Sequence, residues 1–240
     1  FGSITSVSVN DFGDLMSGSK RLHGYDDFGR FNFYSQRIEG KDSAVINKNP
    51  NLQVGTAYKQ VDALQKLIYR HSEFVTFKLN TQYSNSTNVP RFDRLNNVLE
   101  DGSLEYSEWH YGPQERMLAA LKAEISSSNF LFSKASFIAS VQNINEERFK
   151  RKFGSNTRSS NSENVKVYGF NADLVRVMDS TSELFYGIEI TSNTVVSTAF
   201  TEDITTSEKG SESTRYPDGG SGMNTGAFYL SYARTFKKLI

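Results

Sequence analysis

Apolar and polar residues alternate strictly along much of this sequence, over stretches of about ten residues. In residues 166–175, for example, Tyr168, Phe170 and Leu174 fall on one side of the alternation and Asn171 on the other. Because successive side chains of a β-strand point to opposite faces of a sheet, this period of two predicts strands with one apolar and one polar face. Clear runs of this kind are 73–84, 114–125, 134–142, 166–175, 184–191 and 228–233, and weaker ones are 2–9, 29–38 and 53–64.

The run 114–125 also admits a helix, because Met117, Leu121 and Lys122 are of residue types that favour helices. Clear strand patterns on both sides favour a strand here. No part of the sequence approaches the roughly 18 to 20 consecutive apolar residues that a membrane-spanning helix needs. A chain of this kind that crosses a membrane must therefore cross it with strands, for which about ten tilted residues suffice.

The connections between these runs alternate between short and long. Short connections lie at 69–72, 126–129 and 179–182, and long polar stretches lie at about 84–112, 145–163 and 194–224. This asymmetry is typical of a membrane barrel with one rim in the periplasm, whereas a soluble sandwich gives long loops no reason to fall on every second connection. The sequence predicts an all-β fold, an antiparallel transmembrane β-barrel segment with short periplasmic turns and long extracellular loops.

The composition agrees with strands and excludes some partners. Phe and Tyr number 18 and 12 while Pro numbers 4, a balance that favours strands. Lys plus Arg and Asp plus Glu are 27 each, so no net charge points to nucleic acid. Cys is absent, which excludes disulfides and thiolate metal sites. No signal-peptide pattern follows Phe1, so we expect a processed chain or a piece of a longer one.

Charged residues occupy the middle of the predicted strands, opposite the apolar faces. They suit the wet interior of a barrel, and they equally suit the solvent face of a soluble sheet. Aromatic residues fall near strand ends, where amphipathic rings prefer the lipid–water interface. The charged set is Lys78, Arg116, Lys122, Glu124, Lys134, Asp173 and Glu189, and the aromatic set is Tyr83, Trp109, Tyr111, Phe132, Tyr168 and Tyr232.

Several segments resemble the barrel of TonB-dependent receptors of the Bacteroidetes type, in the order of one continuous part of it. They read RIEGKDSAVINKNPNLQVGTAYKQVDALQKL (37–67), VPRFDRL (89–95), YSEWHYGPQERMLAAL (106–121), INEERFKRKFGS (144–155), VKVYGFNADL (165–174) and RYPDGGSGMNTGAFYLSY (215–232). The resemblance implies a receptor of the bacterial outer membrane, in contact with lipid and lipopolysaccharide, that imports a scarce nutrient with energy from the TonB complex. It favours an iron–siderophore or similar small-molecule chelate as cargo, with haem and cobalamin as alternatives, and implies no cofactor.

The sequence also departs from that family. Neither a plug domain nor the TonB-pairing segment before it is visible, and about eight strands are predicted where the family's barrel has about 22. The chain stops at 237–240, KKLI, where such barrels usually end on an aromatic residue. We therefore expect 1–240 to be an internal part of the barrel, with TonB acting through the missing plug. Open sheet edges are not tolerated in lipid, so further strands are expected on both sides.

Candidates for ligand binding lie in the segments predicted to be extracellular. The mostly basic stretch 146–158 includes Arg148 and Arg151, which suit the acidic groups of a siderophore or the phosphates of lipopolysaccharide, although simple solvation of a loop also accounts for them. The family-like loop segments contribute Arg91, Asp93, Arg94, Arg215 and Tyr216 as residues that shape the outer vestibule.

His110 lies between Trp109 and Tyr111, a setting that favours a residue of the aromatic interface belt and that also suits binding of haem or a metal chelate. The other histidines, His23 and His71, share no helical or hairpin spacing with it, so no metal site is predicted. The Asp-Phe-Gly triplets at 11–13 and 27–29 lack the accompanying kinase loops and are interpreted as turns.

Two other classes of protein remain open. An outer-membrane enzyme would need a Ser-His pair near the membrane, and Ser107 precedes His110 by three residues, but no third group is evident and no catalytic residue is predicted. A soluble β-sandwich binding module would bury its apolar faces in its own core. The side chains that would then be buried are Phe77, Leu121, Phe137, Phe170 and Ile188.

Overall fold

The structure, a computed structural model, describes residues 1–22 and 24–236. His23 and residues 237–240, considered above for metal binding and for the chain end, lie outside this part. The elements are β1 (Gly2–Phe12), β2 (Leu15–Met16), β3 (Phe33–Ile38), β4 (Lys41–Ile46), β5 (Leu52–Gln53), β6 (Tyr58–Arg70), β7 (Val75–Ser86), β8 (Val89–Pro90), α1 (Phe92–Leu95), β9 (Tyr106–Ser126), β10 (Lys134–Lys152), β11 (Thr157–Asp179), β12 (Ser182–Asp203), β13 (Lys209–Ser211) and β14 (Ser221–Arg234).

The long strands pair antiparallel into one sheet, largely in chain order. The order from one edge is β1-β6-β7-β9-β10-β11-β12, with β13 and β14 both pairing with β12 and β8 pairing with β9. This confirms the predicted all-β, antiparallel class. Among the described residues, β1 pairs only with β6 and β14 only with β12, so the sheet is open at both edges.

The cross-strand register brings the predicted apolar positions side by side. We call the face that carries them the apolar face and the opposite one the polar face. One row of the apolar face consists of Tyr69, Phe77, Ala123, Phe137, Ala172, Ile188 and Phe228. The adjacent row of the polar face consists of Ile68, Lys78, Lys122, Ile138, Asn171, Glu189 and Ala227.

No second layer covers the apolar face in the part of the chain that the structure describes. Phe77 and Leu121 are 37% and 49% exposed, Phe170 and Ile188 are also exposed, and Phe137 is half-buried. A soluble sandwich would bury these five side chains, so the sandwich alternative finds no support in the fold. The buried apolar side chains are few, and Phe31, Leu104 and Trp109 among them lie beyond the apolar rows, at one rim.

Two of the predicted long loops are instead mostly strand. β10 continues to Lys152 and β11 begins at Thr157, so only 153–156 joins them, and β12 continues to Asp203. The prediction of loops at 145–163 and 194–224 was wrong there because it relied on alternating apolarity. Both faces of these extensions are largely polar, yet the hydrogen-bonded ladder continues.

The connections still divide the sheet into two rims. The short-turn rim carries 71–74, 127–133 and 180–181, and the long-loop rim carries 13–57, 87–105, 153–156 and 204–220. Strict alternation of length fails only at 153–156, where long strands take the place of a long loop. No helix within residues 1–22 and 24–236 is long and apolar enough to cross a membrane.

Candidate functional site at the long-loop rim

A bulge in β9 sets the geometry of the long-loop rim. The register of β9 against β10 shifts between Glu146 and Arg148, opposite Gly112 of β9. Gly112 has φ +100°, and a Cβ there would lie 2.8 Å from the carbonyl oxygen of Thr87, so the position suits only glycine. Beyond the bulge, Tyr111 pairs with Arg148. Bulges re-aim side chains in this way, and here the shift sets an aromatic residue beside a cation.

Trp109, Tyr111 and Arg91 form a compact cluster on this rim. The two rings meet edge to face with centroids 5.1 Å apart, and the Arg91 guanidinium carbon lies 4.4 Å from the Trp109 ring centroid and 5.9 Å from that of Tyr111. The Arg91 amide also donates a hydrogen bond to the Trp109 carbonyl, at 2.9 Å. Cation–π contact and main-chain pairing therefore both hold the β8 segment against β9.

Asp93 and Arg94 extend this cluster into solvent. Asp93 accepts hydrogen bonds from Arg91 Nε at 2.9 Å and Nη2 at 2.5 Å, and Arg94 Nε lies 3.9 Å from the same carboxylate. The hydrogen bond from Arg91 holds the pKa of Asp93 below its usual range. Arg91 is thus already neutralised by Asp93, whereas the exposed Arg94 makes only a loose ion pair.

Arg151 is buried in an ion-pair cluster that fixes the β3–β4 hairpin to the rim. Its Nη1 and Nη2 atoms lie 2.6 and 3.1 Å from the Asp42 carboxylate, and its Nε lies 2.7 Å from Glu108. The Arg151 and Asp42 side chains are 3% and 1% exposed. Asp42 also accepts hydrogen bonds from Ser107 Oγ at 2.7 Å and the Gly154 amide at 2.9 Å. We call this cluster the hairpin clasp.

Burial alone would raise the pKa of Asp42, but hydrogen bonds from Arg151, Ser107 and Gly154 outweigh it and lower that pKa below its ordinary value. Asp42 is therefore a carboxylate at neutral pH. Ser35 donates to Ser107 Oγ at 2.9 Å, so the hydroxyl that the enzyme alternative would use is engaged with Ser35 and Asp42.

His110 lies on the opposite face of β9 from Trp109 and Tyr111. Its ring lies 5.0 Å from that of Phe149, and its Nδ1 is buried without a hydrogen-bond partner. Burial lowers the pKa of His110 and outweighs the opposing effect of the Glu108 charge, with a smaller lowering by Arg158, so the imidazole is neutral at pH 7. The structure therefore separates His110 from its two aromatic neighbours.

Arg148, Arg215 and Tyr216 lie apart from the hairpin clasp. Arg148 is half-buried, and neither it nor Arg215 makes an ion pair within 4.0 Å among the described residues. Arg215 and Tyr216 line a shallow cavity of about 630 Å³ in the 204–220 connection. Glu212, in the same connection, lies 3.8 Å from Lys150 of β10, which brings this loop to the same rim.

Eight of the ten predicted residues thus fall into an aromatic–cation cluster, a buried clasp and an exposed loop, whereas His110 and Arg148 lie outside these groups. Sequence reasoning missed Asp42 and Glu108, and nothing in the sequence near Asp42 signals a partner 109 residues away. In the described part of the chain, no group of three or more His, Asp or Glu side chains is placed to hold a metal ion.

The fold and the rim define a one-layered antiparallel sheet with an exposed apolar face. Neither a scan against models of protein families nor a search of curated proteins found a match. Among solved structures, the crystal structure of the ferric citrate transporter FecA in the unliganded form is a weak neighbour, with a TM-score of 0.48 and 17% sequence identity. The match covers 73% of this chain and 27% of that one, so the chain spans about a quarter of the neighbour's length.

Proposed function

We propose that this chain forms part of the wall of an outer-membrane receptor that imports a scarce chelate with energy from TonB. The observation that carries the membrane part of the proposal is the spacing of polar residues along the apolar face. On β11 the charged residues Lys166 and Arg176 enclose the run 168–174, which has no charge on that face. The ten steps between them span about 33 Å along a strand, which a tilt of about 40° turns into a height of about 25 Å.

That height equals the apolar band of outer-membrane barrels, about 25 Å. The same spacing recurs on the next two strands of the sheet, between Ser182 and Ser192 on β12 and between Asn224 and Arg234 on β14. Three neighbouring strands therefore carry apolar runs of one length, with polar residues at both ends. In lipid the open edges at β1 and β14 must pair with further strands.

Other features agree with a membrane setting. On the apolar face, Tyr168 lies near the upper end of the band and Tyr232 near its lower end, as in an interface belt. On the polar face, Glu124 forms ion pairs with Lys78 at 2.6 Å and Lys122 at 2.9 Å, which suits a water-filled or plugged interior.

The receptor part of the proposal draws on the long-loop rim. Arg148 and Arg215 are cations without an ion-pair partner among the described residues, and Arg148 pairs across the strands with the half-buried Tyr111. Cations beside aromatic rings suit a chelate with carboxylate or catecholate groups. The family resemblance supplies the energy coupling, which on this proposal acts through a plug domain.

Single-cysteine labelling tests the membrane part, since the chain has no Cys of its own. In membranes that contain the protein with its complete coding sequence, Phe77→Cys, Leu121→Cys and Ile188→Cys should react with a lipophilic maleimide and resist a water-soluble one. The matched controls Lys78→Cys, Lys122→Cys and Glu189→Cys lie next to them on the polar face and should show the reverse. Equal reaction of both sets with the water-soluble reagent would refute the membrane proposal.

Growth on a single iron source tests the receptor part. Cells that depend on this protein for a ferric siderophore should grow more slowly when Arg148 and Arg215 are replaced together by Ala. The control is Arg70→Ala at the short-turn rim, which should leave growth unchanged. If growth is independent of the protein with every ferric chelate, haem and cobalamin supplied, the receptor proposal fails while the labelling result stands.

A further inference from the structure

The apolar face carries a groove at the short-turn rim that the proposed transport activity does not use. It has a volume of about 480 Å³ and is lined by Phe130, Leu131, Arg176, Met178, Phe228 and Leu230, among others. The side chains of Phe130 and Phe228 are 88% and 68% exposed, so the groove is open along its apolar walls.

The groove is built by the 127–133 connection, which folds back against the apolar face. Arg176 Nη1 donates a hydrogen bond to the carbonyl oxygen of Asn129 at 2.5 Å, and the Tyr186 hydroxyl donates to that of Leu131. These two bonds hold Phe130 and Leu131 opposite the strand residues. Two hydrogen bonds therefore fix the conformation of the connection that forms one wall of the groove.

Two arginines lie where the apolar face ends at this rim. On β11 the apolar run 168–174 is followed on the same face by Arg176, and on β14 the run 228–232 is followed by Arg234. Leu184 of β12 pairs with Arg176, and Ser182 of the same strand pairs with Arg234, so the two arginines flank one short stretch of β12. Within the described chain, neither guanidinium has a carboxylate within 4.0 Å.

We propose that this groove binds a glycerophospholipid of the membrane leaflet that faces the short turns, with an acyl chain in the groove and the phosphate at Arg176 and Arg234. Guanidinium groups bind phosphate through paired, charge-assisted hydrogen bonds, and these two arginines, which have no carboxylate within 4.0 Å, can supply them. The groove continues the lipid-facing rows, because Phe228 pairs with Ile188 and Leu230 with Tyr186. This inference rests on the proposed membrane setting of the apolar face.

Native mass spectrometry of the protein with its complete coding sequence, purified in detergent, tests the proposal. The probes are dipalmitoyl-phosphatidylglycerol and, without a phosphate, dipalmitoylglycerol. The Arg176→Gln, Arg234→Gln double variant should lose about tenfold or more in affinity for the phospholipid, which corresponds to about 1.4 kcal/mol or more. Arg234→Gln alone, which keeps the hydrogen bond from Arg176 to Asn129, should also weaken phospholipid binding and should leave dipalmitoylglycerol binding unchanged. The matched control is Lys134→Gln, which lies at the same rim on the polar face and should bind both lipids as the wild type does.

A second variant tests the groove without altering charge. Leu131→Trp should fill the groove and weaken both lipids, while far-ultraviolet circular dichroism reports that the sheet is retained. Equal phospholipid affinity of the wild type and the double arginine variant would overturn the proposal. It would also be overturned if the wild type forms a dimer that excludes lipid and Leu131→Trp does not, since the groove would then bind a second copy of the chain. If single-cysteine labelling places the apolar face in lipid while these affinities are equal, the groove proposal fails and the membrane proposal stands.

Discussion

Replacing Arg151 by Met should release the β3–β4 hairpin from the long-loop rim. Met keeps much of the apolar stem of Arg151 but removes the guanidinium, whose donors lie 2.6 Å and 3.1 Å from Asp42 and 2.7 Å from Glu108. Asp42, with a side chain 1% exposed, then keeps only Arg37 of its own hairpin as a cationic partner, with Nη1 3.5 Å away. Breaking a buried pair by removing one partner costs about 3–5 kcal/mol.

This cost falls on docking of the hairpin, because the clasp joins residues 33–46 to β9 and β10. A loss of about 3 kcal/mol raises the population of the undocked hairpin roughly 100-fold. Hydrogen–deuterium exchange followed by mass spectrometry should therefore show faster exchange in 33–46 by that factor, with little change in 166–175. Exchange in 33–46 within threefold of the wild type would refute a stabilising role for the clasp.

Two further variants separate the clasp from general effects of losing a charge. Arg30→Met removes an ion pair with Asp27 at 3.7 Å whose carboxylate is 88% exposed, so it should cost about 0–1 kcal/mol. Arg151→Met combined with Asp42→Leu removes both buried charges and should cost less than the sum of the single variants, because neither charge is left without a partner. A strictly additive double variant would mean that the two side chains do not interact.

Three other outcomes are expected. The pKa of Asp42 lies below its ordinary value, so protection of 33–46 from hydrogen exchange should stay constant as the pH falls to about 4. The protection should then be lost as the pH falls through the lowered pKa. Asp42→Asn should abolish this pH dependence. Gly187→Ala should destabilise the sheet by about 1–3 kcal/mol in urea unfolding, because its Cβ would lie 2.5 Å from the Ala172 carbonyl oxygen; Gly226→Ala, with nothing within 4 Å, is the control. Arg91→Ala should red-shift the fluorescence of Trp109, the only Trp of the chain, and increase its quenching by acrylamide, whereas Arg94→Ala should leave both unchanged.

The apolar band could be predicted from sequence because its signal is local. Alternation along one strand decides which side chains share a face, and pairing with the neighbour follows from the short turns. Phe137, Ala172 and Ile188, for example, lie in one row as the alternation requires. The strand extensions could not be predicted in this way, because a ladder between two polar faces needs no apolar side chains.

The candidate site was less accessible to sequence reasoning. The clasp joins Asp42 to Arg151 across 109 residues, and a long-range ion pair leaves no periodic pattern in the sequence. The placement of His110 is different, because the alternation already assigns it to the face opposite Trp109 and Tyr111. His110, Trp109 and Tyr111 are neighbours in sequence, but the period of two that predicts the strands does not place all three on one face.

The spacing on the apolar face also favours the proposed membrane setting over a soluble sandwich. A strand that packs in a sandwich is usually about five or six residues long, so its inward run ends after about three side chains. On β11, β12 and β14 the apolar run has four residues on this face, and polar residues ten positions apart bound it: Lys166 and Arg176, Ser182 and Ser192, and Asn224 and Arg234. In a sandwich, the buried apolar run of a strand ends where the covering sheet ends, and that position differs from strand to strand. A boundary at one spacing on three neighbouring strands is the pattern expected of a surrounding layer of constant thickness, and this agrees with the proposed lipid bilayer.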